Sequence, residues 1–268
     1  MKALFLGVGE ACDPGHGNTS VLVSTPAGAT VLLDCGFTAA HRFFAACADP
    51  DRLDAAWISH FHGDHFFGIP LLLLRFWDMG RRRPLALVGQ AGTEEKIRAL
   101  MEMAYPGFMV KLGFTLRFHE TAPGTSLSLA GLQWRTAPTL HSQPNLGLLL
   151  DDGRCRLYYS GDGRPGDEVA GLARGCDLAI HEAFRIEDEV VGHGSIAGCR
   201  RLKQKAGIRR LALVHLEGRV RRERREEIDA ILARDQDLFL PVEGDELEVG
   251  AAGPRGPARK RPVPPDPP

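Results

Sequence analysis

The chain has 268 residues, 44% hydrophobic and 25% charged, which suits one large α/β domain or two small ones. With 33 basic and 34 acidic side chains the formal net charge is −1, so no global basic field is available to hold a nucleic acid, and any such grip must come from local patches. The six cysteines (Cys12, Cys35, Cys47, Cys155, Cys176, Cys199) form no C-x-x-C pair and read as reduced thiols of a cytoplasmic protein, not as a disulfide framework or a zinc knuckle. The opening MKALFLGVGEACDPG is too short in its apolar run for a signal peptide, and the apolar stretch 69–77 is broken by Pro70 and Arg75. A soluble protein away from the membrane is expected.

In chain order, strands are predicted over 2–8, 20–24 and 29–33, the last after the turn Pro26-Ala27-Gly28. A helix over 39–48 is stopped by Asp49-Pro50. A brief strand at 55–59 runs straight into polar loop residues. A helix over 66–77, a strand at 85–88 and a helix over 93–104 follow, with Glu94 and Glu95 placing anions in the last helix's first turn. Strands then return at 115–118, 126–129, 132–137, 146–150 and 156–160. The C-terminal part alternates: strand 178–181, helix 195–205, strand 211–215, helix 221–234, strand 237–240. Strand runs giving way to alternation, twice over, predict an α/β sandwich of two mixed sheets packed face to face with helices outside. Residues 1–250 make the folded domain in this reading. From Ala251 the chain reads AAGPRGPARKRPVPPDPP, too poor in aliphatics to offset ordering entropy, and is predicted to be a disordered tail.

The chemistry concentrates in His60-Phe61-His62-Gly63-Asp64-His65, directly after the strand at 55–59. In an extended segment i and i+2 share a face, so His60 and His62 can grip one ion. Gly63 permits a sharp turn, beyond which Asp64 and His65 can reach a second. A nitrogen and oxygen donor set of this kind suits zinc, and manganese also fits. Distant donors would complete the site: His141, Asp162 and His215, each placed where a predicted strand stops. Taken singly each reads as a turn or capping residue. Beside the six-residue cluster they read as ligands.

H-x-H-x-D-H with later His, Asp and His resembles the metallo-β-lactamase superfamily over most of the chain. The resemblance implies an αβ/βα sandwich, with His60, His62 and His141 on one divalent ion, Asp64, His65 and His215 on the other, and Asp162 bridging. Within the superfamily the sequence looks most like the ribonuclease Z branch. It carries Leu6-Gly7-Val8-Gly9 before Asn18-Thr19-Ser20, then Leu33-Asp34-Cys35-Gly36. His181-Glu182-Ala183-Phe184 is similar to an H-E-A-T motif with Phe for Thr, and Gly192-His193-Gly194-Ser195 to a G-H-S segment with Gly194 inserted. That likeness implies two-metal hydrolysis of a phosphodiester, in which Asp64 also orients the attacking water. His193 would be the general acid, and Glu182 would hold its ring in the useful tautomer. It also implies a homodimer.

His141 and Asp162 lie only 21 positions apart, and predicted strands fill that span. The long arm that bacterial ribonuclease Z enzymes insert there to clamp tRNA has no room. The expected substrate is therefore a small or cyclic nucleotide or a short RNA. Transfer-RNA 3′-end cleavage, with the arm supplied by a partner, is the alternative. So is sulfate ester, lactone or thioester hydrolysis on the same metals. A non-enzymatic metal-holding module would be expected to have lost ligands. Outside the scheme, His16 reads as a solvated loop residue, His41 and His119 as surface or packing, and His181 as structural. Cys35 reads as a small buried hydrophobe. Arg81-Arg82-Arg83 could meet phosphate, whereas the arginines of 219–225, interleaved with Glu223, Glu226 and Glu227, read as a solvated helix face.

Overall fold

The computed structural model describes residues 1–187 and 190–250, together with 258–259 as a short strand. Two mixed sheets dominate. The first runs Ala258–Arg259, Asp245–Glu248, Lys2–Gly7, Ser20–Ser24, Thr30–Leu33, Ala55–Ile58, Leu85–Gln90, Leu116–Thr121 from edge to edge. The second runs Leu238–Phe239, Arg210–Val214, Leu178–Glu182, Arg156–Tyr159, Leu146–Asp151, Leu132–Pro138, Ser126–Leu129. In both sheets the pairing is antiparallel through the hairpins and turns parallel where helical crossovers begin. This is the predicted sandwich. The predicted disordered tail falls outside the described residues apart from Ala258–Arg259, which pair with Asp245 and Glu246.

Strand alternation explains the layering. Along Thr30–Leu33, Val31 and Leu33 point into the space between the sheets and Leu32 points out beneath the helices. Both faces are buried, so the strands read as unbroken apolar runs. Between the sheets Phe5, Val23, Trp57 and Val88 meet Trp134, Leu148, Leu157 and Ile180. Trp57 and Trp134 face each other across the gap with ring centroids 6.3 Å apart. Burying one such side chain stabilises the fold by about 1.5–3 kcal/mol. Helices Ala39–Ala46, Ile69–Asp78 and Thr93–Ala104 cover the outside of the first sheet, and Ile196–Ala206 and Arg225–Ala233 that of the second.

Four elements differ from the sequence reading. The predicted helix 66–77 is two, Gly63–Phe66 and Ile69–Asp78, broken at Gly68. There the Gly68 N–H donates to the Cys35 carbonyl at 2.8 Å, and a Cβ would sit 2.2 Å from the Gly36 carbonyl oxygen. The helix 221–234 also divides, into Gly218–Glu223 and Arg225–Ala233. A short helix at Asp167–Leu172 and the strand Asp245–Glu248 were not foreseen. Where the reading held, local caps explain it: Ser195 accepts the Gly198 N–H at 3.0 Å and Gly207 closes the same helix at φ 63°.

Candidate metal centre

Each donor hangs from the end of a strand, and all these strand ends open on one rim of the sandwich. His60 follows Ala55–Ile58, His141 follows Leu132–Pro138, Asp162 follows Arg156–Tyr159 and His215 follows Arg210–Val214. His62 stands just before the turn of helix Gly63–Phe66, which presents Asp64 and His65. The structure brings all seven predicted donors together. His60, His62, His141 and Asp162 form one group, Asp64, His65 and His215 another, each with ligand atoms within 4.8 Å of one another. His62 Nδ1 lies 3.0 Å from His60 Nε2 and 3.1 Å from His141 Nε2. Asp162 faces both groups: Oδ1 is 3.2 Å from His65 Nε2 and 3.4 Å from His215 Nε2, and Oδ2 is 3.9 Å from both His60 Nε2 and His141 Nε2. Asp64 Oδ2 is 3.3 Å from the Nε2 atoms of His65 and His215.

The far sides of the rings are held by protein. His141 Nδ1 donates to the Gly192 carbonyl at 2.6 Å, and His60 Nδ1 meets Ser59 Oγ at 3.0 Å. His65 Nδ1 donates to Asp34 Oδ2 at 2.7 Å. Asp34 is fully buried and also accepts the Ser59 N–H and Oγ at 2.8 Å and the Tyr159 hydroxyl at 2.7 Å. Such contacts fix the tautomer, leaving Nε2 free to face the centre. Asp34 and His215 both take left-handed φ, each 57°, a conformation that costs a non-glycine residue energy and persists where surroundings impose it. Asn145 braces the Asp162 loop: its amide donates to the carbonyls of Ser160 and Asp162 and to Thr139 Oγ1, at 2.7–2.9 Å.

Asp34, Asn145, Ser59 and Tyr159 were missed as site residues. The available signal for Asp34 was a lone carboxylate directly after the apolar run Val31-Leu32-Leu33.

The residues fit divalent cations. His65 Nε2 and Asp162 Oδ1 are buried with no hydrogen-bond partner, although both face the centre. Burial holds His60 well below the ordinary histidine value, so its ring is neutral and ready to donate a lone pair. Burial would do the same to His65 and His215, but nearby carboxylates outweigh it. Asp162 and Asp34 raise His65, and Asp162 and Asp64 push His215 up to about 9. These carboxylates therefore call for positive charge at the centre, which a cation supplies directly.

Beside the seven donors, Glu182 and His193 are paired as expected, Oε1 to Nδ1 at 3.2 Å. Glu182 also accepts the N–H groups of Gly163 and Gly194 at 2.9 Å and of Phe184 at 3.1 Å. The His193 ring packs against Phe184, at 4.8 Å and 28°, and His215, at 5.6 Å and 14°, which are themselves 6.3 Å apart. His193 also groups with Asp162 and His215 as a possible donor, although its Nδ1 is engaged by Glu182.

The remaining polar residues sort differently. His16 is no free loop residue, since its Nδ1 lies 2.9 Å from Glu243. His181 is buried with Nδ1 on the Glu182 carbonyl, as expected. Arg81 is no phosphate ligand: its buried guanidinium donates to the carbonyls of Asp51, Leu53, Arg83 and Pro84 at 2.6–2.9 Å. Arg219, Arg224 and Arg225 pair with Glu223, Glu227 and Asp229 on an exposed face, as read, whereas Arg221 is buried and donates to the Val8 carbonyl.

Fold and donor set define a metal-dependent hydrolase, and the chain belongs to the beta-lactamase superfamily, whose domain matches residues 29–216. Its likeness lies with the ribonuclease Z-like branch. It is 26% identical to a ribonuclease Z of Methanosarcina acetivorans over 90% of this chain and 94% of that one. The human tRNase Z, short form, superposes with a TM-score of 0.77 at 23% identity, over 94% of this chain and 100% of that one. A diphosphatase from the PhnP family superposes with a TM-score of 0.73 at 18% identity, over 92% and 97%.

Proposed function

We propose that the chain is a two-metal phosphodiesterase acting on a small or cyclic nucleotide or a short RNA. The observation that carries this reading is Asp162, whose two oxygens face two separate donor groups. His60, His62 and His141 would hold one ion, Asp64, His65 and His215 the other, with Asp162 shared. Zinc suits these donors best and manganese also fits. When bound, the ions supply Lewis acidity toward a phosphate oxygen and lower the pKa of water toward neutrality.

The chain's own residues then have separate tasks. Asp64, whose Oδ2 lies 3.3 Å from the Nε2 atoms of His65 and His215, orients the incoming water as well as serving as a ligand. His193 gives a proton from Nε2 to the departing oxygen, because its Nδ1–H is committed to Glu182. Glu182 cannot wander, since three backbone N–H groups hold its carboxylate. Phe184 and His215 both pack against the His193 ring and limit its rotation.

A small substrate is favoured by the span from His141 to Asp162. It holds a four-residue loop, strands Leu146–Asp151 and Arg156–Tyr159 and the tight turn between them, and nothing that could reach a distant part of a folded RNA. The second reading, tRNA 3′-end cleavage, is supported by relatives named ribonuclease Z. A homodimer fits the exposed apolar side chains Trp77, Met79, Met103 and Val110. The absence of disulfides among the described residues fits a reducing cytoplasm, and no helix among them is long and apolar enough to cross a membrane.

The test is hydrolysis of bis(p-nitrophenyl) phosphate with zinc or manganese, with and without chelator, followed by a cyclic-nucleotide panel beside a 3′-extended tRNA. Chelator-sensitive turnover with cyclic nucleotides cleaved and tRNA intact supports the first reading. Cleaved tRNA establishes the second. No phosphodiester turnover in either metal rejects both and points to sulfate esters, lactones or thioesters.

A further inference from the structure

Two aromatic rings stand in water beside the centre without a part in the scheme above. Phe37 is 54% exposed and Phe67 is 49% exposed, and they meet edge to face with centroids 5.7 Å apart at 83°. Neither ring belongs to a hydrophobic cluster of the fold.

The backbone under Phe37 is fixed on both sides. Cys35 donates to the His65 carbonyl and receives the Gly68 N–H at its own carbonyl, both at 2.8 Å. Gly36 has no room for a side chain, because a Cβ there would lie 1.8 Å from the Asp64 carbonyl oxygen. On the other side, the Thr38 N–H donates to Asn18 Oδ1 at 3.2 Å, and Thr38 Oγ1 accepts the Asn18 N–H at 2.8 Å. Phe37 thus springs from a segment stitched to the ligand loop itself. The tip of its ring reaches Gly63, where a Cβ would lie 2.5 Å from Phe37 Cζ. Gly63 separates His62 from Asp64, one donor of each metal group.

We propose that Phe37, propped by Phe67, is the platform on which a nucleobase of the substrate stacks while its phosphodiester lies at the metal centre. This rests on the phosphodiesterase reading and narrows it, from diesters in general to those bearing a planar base next to the scissile phosphate. An edge-to-face pair leaves open ring faces, and a π-face accepts any of the bases without hydrogen-bond readout. The platform therefore selects for a nucleotide and not for one base. Its fixed backbone means that little freedom is lost when the base arrives.

The experiment uses the metal-loaded full chain and two readouts. Calorimetry compares binding of adenosine 5′-monophosphate with methyl phosphate. Kinetics compares thymidine 5′-(p-nitrophenyl phosphate) with methyl p-nitrophenyl phosphate. Phe37→Ala is expected to lower both nucleoside-to-methyl ratios by about fivefold or more, and Phe37→Trp is expected to restore them. Ratios unchanged in Phe37→Ala, with the methyl ester still cleaved by the wild type, overturn the platform and leave the phosphodiesterase reading standing. A wild-type protein that cleaves neither ester overturns both. A Phe37→Ala protein whose ratios hold while its oligomeric state changes overturns the platform in favour of contact between copies of the chain.

Discussion

Glu182 Oε1 stands 3.2 Å from His193 Nδ1 and takes the Gly163 and Gly194 N–H groups at 2.9 Å, tying the loop of Asp162 to the segment that bears His193. One carboxylate thus sets the spacing between the proposed bridging donor and the proposed acid. His193→Ala is expected to keep its metal and lose about 10²–10⁴-fold in turnover of diesters with poor leaving groups, and far less with p-nitrophenolate. Equal losses on both substrates, or none on the poor one, would show that His193 is not the acid.

His62→Ala removes a donor whose Nδ1 is the meeting point of His60 and His141. Loss of metal from the first group and loss of turnover are expected together. Elemental analysis showing a full metal complement in this variant would contradict the ligand assignment.

Asp34 touches no predicted substrate, yet it holds His65 by the ring nitrogen that faces away from the centre. Asp34→Asn should weaken metal binding about 10–100-fold, the usual cost of losing such a partner. Competition with a chromogenic chelator measures it. Asp34→Ala should also lower stability, because the Ser59 hydroxyl and the Tyr159 hydroxyl lose their acceptor.

Metal uptake should release protons. Without a cation, Asp162 and Asp64 outweigh burial and raise His215 to about 9. That raised value stabilises the metal-free fold fully below the ordinary histidine pKa near 6.5, and the contribution fades as pH climbs through about 9. A cation displaces the same proton, so metal affinity should rise with pH across this window. Calorimetry at pH 7.5 in two buffers of different ionisation enthalpy should give different apparent heats. Identical heats and a pH-independent affinity would refute it.

Arg81→Met should leave activity unchanged and lower unfolding stability by about 3 kcal/mol, since four carbonyls, that of Leu53 fully buried, lose a charged donor at once. Urea denaturation read by circular dichroism checks this. A shift below about 0.5 kcal/mol would mean that water replaces the guanidinium without cost.

The comparison with the bare sequence turns on distance along the chain. His60 to His65 was legible because its spacing alone places donors on both sides of a turn, and the strand-end positions of His141, Asp162 and His215 followed from strand patterning. The sandwich was legible because each half runs hairpins and then crossovers. Asp34 was not, because its role exists only once Ser59, His65 and Tyr159 come to it from three other elements. Arg81 misled for a related reason: three consecutive arginines look like a surface patch, and only the folded-back chain at 51–53 shows that the first is caged. The break at Gly68 was hidden because the apolar periodicity continues straight through it.

The N–H of His215 donates to the Val8 carbonyl at 2.8 Å, and Gly9 bridges to Leu216. The last donor is thereby fastened to the first loop of the chain. A ribosome delivers His60, His62 and His65 early, but the pocket they belong to waits for some 150 further residues. Until then the nascent histidines are loose ligands for any passing ion, and the carboxylate that would join two ions into a pair has no counterpart to face. The seven donors therefore face one another only once residue 215 has joined the fold, so a cation that needs them all can be held only by the folded chain.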